Sequence, residues 1–147
     1  MKFKQSLIFA TLATAATLSI AQLQQGVRTQ QGITKNEIII GTMQDLTGPL
    51  AGYGKAARNG MMLRIDEINE QGGINGRTIK LIVEDHGYDP KKAAVLAEKL
   101  VNKDKIFAMV NTLGAPQNIA AMPIMFSKEV INFFPLTSSS EMYEPFH

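Results

Sequence analysis

Ile38-Ile39-Ile40-Gly41-Thr42-Met43 is an unbroken, largely apolar run, and Leu46-Thr47-Gly48-Pro49-Leu50-Ala51-Gly52-Tyr53-Gly54 follows almost at once. A continuous apolar run of this length reads as a strand buried on both faces, the kind found in parallel sheets. Three Gly and one Pro within the next nine residues predict a loop. A helix is expected from about Lys55, where Ala57, Met61, Ile65 and Ile68 recur at spacings of four, four and three. That spacing puts them on one helical face. Gly72-Gly73 stops the helix and Asn75-Gly76 turns the chain.

The alternation continues downstream. Residues 77–84 read as a second strand, with Ile79, Leu81 and Val83 on one face and Ile82 on the other. Asp89-Pro90 opens a second helix, Asp as N-cap and Pro in the first turn. Its apolar stripe is Ala93, Leu96, Ala97, Leu100 and Val101. Residues 106–110 form a third buried strand, and Ala115-Pro116 opens a third helix that Pro123 is expected to kink or interrupt. Residues 130–134 form a fourth strand closed by Pro135, and Thr137-Ser138-Ser139-Ser140 is a polar loop. No internal repeat appears. The order β-α-β-α-β-α-β predicts an α/β fold: a parallel sheet with helices on both faces and right-handed crossovers.

Outside this pattern lies a leader. Lys2 and Lys4 precede an uncharged stretch over residues 7–20, and Ser19-Ile20-Ala21 offers small residues where a signal peptidase reads. Residues 1–21 therefore read as a secretory signal peptide. The apolar run is shorter than the ~20 residues of a membrane span. Residues 22–36, with five Gln and two Gly, read as a flexible leader, so the folded part is expected over residues 37–147.

Composition narrows the function classes. The 147 residues make one domain at most. With no Cys there is no disulfide, thiolate metal site, Cys nucleophile or lipoprotein anchor. Without Lys2 and Lys4 the 15 basic residues fall to 13, matching the 13 acidic ones, so no basic excess suggests nucleic acid. The two His, His86 and His147, show no zinc spacing. An exported, Cys-free, near-neutral chain suggests a bacterial periplasmic protein whose core replaces disulfides.

In parallel α/β sheets ligands bind beyond the carboxyl ends of the strands. The loops at residues 44–54, 111–116 and 136–141 occupy such positions and hold hydroxyls, amides, Gly and Tyr53. Backbone amides freed by Gly, and the helix N-termini after Gly54 and Ala115, favour an anionic group such as a carboxylate. The inventory suits binding and is poor for catalysis. Asp85 reads as a cap or turn and His86 as a loop residue. Asp45 lacks a second carboxylate for a metal. The methionines fit core gaps. Gly48, Gly52 and Gly54 match neither a phosphate loop nor the dinucleotide pattern, and there is no GxSxG elbow.

The chain resembles the type I periplasmic solute-binding proteins of ABC importers, in the leucine/isoleucine/valine-binding group. The resemblance rests on Ile39-Ile40-Gly41-Thr42 through Leu46-Thr47-Gly48-Pro49-Leu50-Ala51 and Tyr53-Gly54, then on Ile68-Asn69 with Gly72-Gly73-Ile74-Asn75-Gly76-Arg77. It continues in Asp85 followed by Asp89-Pro90 and Ala93, and spans residues 37 to about 142. Members of that family have two α/β lobes that close around a small solute and deliver it to an inner-membrane ABC permease. They are not enzymes, carry no cofactor, and are expected to be monomers at full length.

By position, the resemblance implies that Tyr53 packs on the ligand, Leu136 offers backbone groups and Ser138 supplies a hydroxyl, with Thr137 between them among the ligand-binding residues. The family's contacting Ser in the loop after the third strand falls on Ala115, which has an N–H but no hydroxyl, and Gly114 beside it could expose its amide. The solute implied is an amino acid, amide or small carboxylate. Family members are more than twice this length, so the chain is read as an N-terminal fragment. Uncovered apolar sheet and helix faces are expected with it.

Other classes fit less well. A signalling receiver domain needs an acidic pair after the first strand and an Asp after the third, where Gln44-Asp45 and Asn111-Thr112 stand. An exported α/β enzyme would need a Ser-His-Asp set or a metal cluster. A ligand-sensing subunit of a membrane receptor would share this sequence pattern.

Overall fold

The structure is a computed structural model and describes residues 30–142. The expected signal peptide, residues 22–29 of the leader and residues 143–147 lie outside the described residues.

In chain order the elements are β1 (Glu37–Gln44), α1 (Ala51–Glu70), β2 (Thr78–Asp85), α2 (Pro90–Glu98), β3 (Ala108–Val110), α3 (Ala115–Phe126) and β4 (Ile131–Phe133). A π-helical turn, Lys99–Lys103, continues α2, and a 3-10 turn follows at Ser140–Met142. The four strands are parallel and ordered β2-β1-β3-β4. The chain steps from β1 one way to β2, then back past β1 to β3. Right-handed crossovers then require α1 on one face and α2 and α3 on the other.

The main core lies between the sheet and the α2–α3 layer. Met43 and Met109 from the strands meet Ala93, Ala97, Leu100 and Val101 from α2 and its continuation, with Ala121 and Met125 from α3. All eight are fully buried. Burying one Leu or Met of this kind contributes about 1.5–3 kcal/mol. On the other face Ala57, Met61, Ile65 and Ile68 are the partly buried side of α1, as their spacing predicts. The same face of β3 and β4 carries Ala108, Val110, Ile131 and Phe133, of which Ile131 and Phe133 are exposed. It is the uncovered apolar band expected from the sequence.

Four local expectations change. First, α1 starts at Ala51, so residues 46–50 are loop as expected but the end of that stretch, with Gly52 and Gly54, is the first turn of the helix. Gly54 lets α1 ride close on β1's exit, since a Cβ there would lie 1.9 Å from the Asp45 carbonyl oxygen. Second, Gln31–Asn36 of the leader are already built onto the sheet. Gln31 Nε2 donates to the Val101 and Ile106 carbonyls at 3.0 Å each, and Ile33 bridges to Ile38. Third, β3 and β4 are only three residues each. Fourth, α3 is not interrupted by Pro123, because Pro123 and Ile119, whose carbonyl it leaves without a helical donor, lie on the exposed side. The Asp89 cap is as expected: its side chain accepts from the Lys91 and Lys92 N–H groups, with Pro90 in the first turn.

Candidate functional site

The reversal of strand order falls between β1 and β3. This topological switch point is where open α/β sheets bind ligands. The loops after all four strands meet there, and a polar network ties them together.

Two carboxylates organise the first two loops. Asp45, fully buried, accepts from the Gly48 N–H through Oδ1 at 2.5 Å and from the Leu50 N–H through Oδ2 at 2.7 Å. Both its oxygens thus serve the backbone that starts α1. Asp85 Oδ1 accepts from the Leu46 N–H at 2.8 Å and the Gly87 N–H at 2.9 Å, while Oδ2 accepts from Thr47 Oγ1 at 2.6 Å. Burial pushes the Asp85 carboxyl up. The bonds from Thr47, Leu46 and Gly87, with the Lys92 charge, outweigh that and hold it at about 2. Asp85 turns the chain, as read from the sequence, and also joins two loops.

His86 joins the second loop to the third. Its ring is fully buried. Nδ1 accepts from the Tyr88 N–H at 2.9 Å, and Nε2 lies 2.9 Å from the Leu113 carbonyl oxygen. A backbone N–H can only donate, so Nδ1 is the acceptor and Nε2 carries the proton toward Leu113. Burial drives the His86 pKa below 6.5, against the Leu113 bond and the Asp45 and Asp85 charges that raise it. Gln117, also fully buried, donates from Nε2 to the Tyr88 carbonyl at 2.7 Å. Its Oε1 lies beside Gly114, where a Cβ would come within 2.1 Å. Gly114 has φ +98°, so both space and backbone require glycine.

The third and fourth loops form one edge. The Gly114 N–H donates to the Leu136 carbonyl at 3.1 Å, and the Leu136 N–H donates to the Thr112 carbonyl at 2.9 Å. Asn118 Nδ2 reaches the Thr112 and Gly114 carbonyls from α3, at 2.9 and 2.7 Å.

Of the residues expected at the site, Gly114 and Leu136 are brought together, with Ala115 beside Gly114, and Thr137 and Ser138 after Leu136. Two expectations are corrected. The Gly114 amide is not exposed, and the Leu136 N–H is not on offer, because the parallel pairing of the two loops uses both. The Thr137 N–H turns back to the Pro135 carbonyl at 3.0 Å, and Thr137 Oγ1 accepts from the Ser139 N–H at 3.2 Å. Ala115 starts α3, and the first N–H bonded within that end of the helix is Asn118, to the Gly114 carbonyl. The Ala115 and Gln117 N–H groups therefore precede the helical ladder. Ser138 is exposed, and Tyr53, 69% exposed, stands on the first turn of α1.

Sequence reasoning missed His86 and Gln117 as organisers. The one local signal for His86 was its place between a loop-turning Asp and a Gly.

Comparison with known proteins agrees with this architecture. The family profile described as "Periplasmic binding protein" matches residues 37–146. An "Amino acid binding protein" of Pseudomonas aeruginosa is 31% identical over 108 residues, covering 74% of this chain and 29% of the relative. Among solved structures, the fatty acid ABC transporter substrate-binding protein from Thermomonospora curvata superposes with TM-score 0.66 at 36% identity, over 72% of this chain and 27% of that one. The branched-chain amino acid transporter substrate-binding protein from Streptococcus pneumoniae, in complex with isoleucine, gives TM-score 0.64 at 32% identity, over 66% and 28%. The chain spans less than a third of the length of each of these relatives. With a family profile matching residues 37–146 and a relative 31% identical over 74% of its length, the chain belongs to the type I periplasmic binding proteins, in their leucine/isoleucine/valine-binding group.

Proposed function

We propose that this chain supplies one lobe's share of a solute site in the binding component of an ABC importer. The solute is a branched-chain amino acid or a related small amide or carboxylate, and the features of the edge favour the carboxylate. The carrying observation is the single edge made by the Gly114–Leu136 and Leu136–Thr112 bonds, which brings Leu136, two residues before Ser138, to the start of α3. An anion placed there meets the N–H groups of Ala115 and Gln117, the positive end of α3 and a Ser hydroxyl. Tyr53, exposed on the first turn of α1, would cover an apolar part of the solute.

Ala115 supports a reading wider than one amino acid. Without a hydroxyl at that position, recognition rests on backbone N–H groups, which favour a carboxylate whatever its tail. The isoleucine bound by one relative and the fatty acid named for another share that group. Delivery to an inner-membrane permease, action in the periplasm and a non-enzymatic role belong to the same proposal. A ligand-sensing subunit would use the same edge.

The test is a thermal-shift screen of the native gene product against L-leucine, L-isoleucine, L-valine, octanoate and a neutral amide. A ligand at about a hundredfold excess over Kd adds about 2.7 kcal/mol, enough for a clear rise in Tm. A rise with the carboxylates and none with their methyl esters is expected. Equal shifts with acids and esters would remove the carboxylate from the reading.

A further inference from the structure

His86 is the one buried ionisable ring in the loop network, and the solute reading gives it no role. It bonds to backbone only, through both ring nitrogens. One nitrogen holds the Tyr88 N–H of its own loop. The other holds the Leu113 carbonyl, one residue before Gly114 and two before Ala115. The Gln117 bond to the Tyr88 carbonyl closes the same junction from α3. Leu113 in turn donates its N–H to the Met43 carbonyl at 3.0 Å, so the ring ties β1's end, the second loop and the third loop at one point.

We propose that His86 is the positioning residue of the solute edge: as the neutral Nε2–H tautomer it fixes Leu113, Gly114 and Ala115, and gaining a proton on Nδ1 loosens that loop and weakens solute binding. The proposal rests on the reading that the Gly114–Leu136 edge carries the solute. Its chemistry follows from donor and acceptor counts. A proton on Nδ1 makes both ring nitrogens donors, and the Tyr88 N–H then faces a donor instead of an acceptor. The Nε2 bond to Leu113 survives protonation, so the break falls on the Tyr88 side. The released second loop takes with it the Tyr88 carbonyl that Gln117 holds from α3, and the edge loosens through Gln117, whose Oε1 lies beside Gly114.

The charged groups around the ring are Asp45 from the first loop, Asp85 from the end of β2 and Lys92 from α2. Tyr88 stacks obliquely, its ring centroid 6.4 Å away. The third loop and the start of α3 present Leu113, Gly114, Ala115 and Gln117, none of which ionises. Both nearby carboxylates are already committed to N–H and hydroxyl donors, so neither turns to pair with an imidazolium. Burial and the Tyr88 N–H facing Nδ1 oppose protonation in the closed loop, against the Asp45 and Asp85 charges, and that opposition is lost once the loop opens.

The experiment uses the native gene product in two arms. In the first, NMR follows the His86 ring and the amide protection factors of Tyr88 and Gly114 from about pH 7.5 to about pH 5, the range where imidazole titrates. The expected result is a ring midpoint below 6.5 with both protection factors falling roughly tenfold along the same curve. Protection that stays constant while the ring titrates overturns the proposal. In the second arm, calorimetry measures L-leucine binding at both ends of the range for the wild type and for His86→Gln, which keeps one donor and one acceptor and cannot charge. Wild-type affinity is expected to drop roughly fivefold or more in acid, with a flat profile in the variant. Equal pH profiles in the two proteins overturn the proposal while leaving the solute reading standing. L-leucine failing at every pH, with the first arm positive, overturns the L-leucine reading and the affinity part of the proposal, and leaves the loop-positioning part supported.

Discussion

Thr47 and Asp85 are 38 residues apart in the chain, and Thr47 Oγ1 donates to Asp85 Oδ2 at 2.6 Å. The bond closes the first loop onto the second. With the Leu46 and Gly87 N–H groups it makes Asp85 an acceptor for three donors at once. A carboxylate bonded in this way is a store of stability that acid can remove.

The pH range of that loss follows from the pKa. Asp85 lies at about 2 in the folded chain and at 3.8 when free. As pH falls the unfolded state takes the proton first, so the contribution is complete above 3.8 and disappears toward 2. After allowance for solvent screening of a partly exposed group it amounts to about 1 kcal/mol. Urea midpoints of the wild type should fall over that pH range. Those of Asp85→Asn should be lower at neutral pH and should change less with acid.

Two glycines four residues or less into α1 are expected to respond in opposite directions. Gly52 has open space where a Cβ would go, so Gly52→Ala should stabilise by about 0.5–1 kcal/mol through helix propensity. At Gly54 the new Cβ meets the Asp45 carbonyl oxygen at 1.9 Å, and backbone must move. Gly54→Ala should cost about 1–3 kcal/mol by chemical denaturation. A neutral Gly54→Ala would mean α1 does not sit this close to β1.

Met109 on β3 is fully buried, whereas Val95 on α2 is 68% exposed. Met109→Ala should cost about 2–5 kcal/mol by opening a cavity between the sheet and the α2–α3 layer. Val95→Ala should stay within about 0.5 kcal/mol. Similar losses at both positions would contradict the placement of the main core.

Ser138→Ala tests the proposed solute edge without touching its framework, because Ser138 is exposed and the loop pairing is made by Leu136. Removing a hydroxyl that bonds a charged carboxylate costs about 1.5–3 kcal/mol, a drop of roughly ten- to a hundredfold in affinity. Thermal stability without solute should be unchanged. Unaltered affinity for the solute found in the screen would remove Ser138 from the site.

The order of elements was legible in the sequence because its signals are local. The β1 run, the Asp89-Pro90 helix start and the α1 face of Ala57, Met61, Ile65 and Ile68 all stand in the structure as their spacing predicts. The start of α1 was misjudged because Gly52 and Gly54 look like loop residues until Asp45 is seen packed under the helix. At the site, the hydroxyls and the helix start after Gly114 could be picked out. That the Gly114 amide is already taken could not, since its partner Leu136 lies on another loop.

By itself, then, the sequence determined a parallel α/β lobe, its helix boundaries to within a few residues, and the set of polar loops at its carboxyl edge. Periodicity and turn chemistry act over a few neighbouring residues, so they can be read along the chain. Which polar groups become buried and shared was decided only by the strand order β2-β1-β3-β4. That order brings His86 to Leu113, 27 residues on, and Gln44 Nε2 to the Asn111 carbonyl, 67 residues on. Such pairings depend on which face each crossover takes, a property of the packed sheet that no short stretch of residues carries.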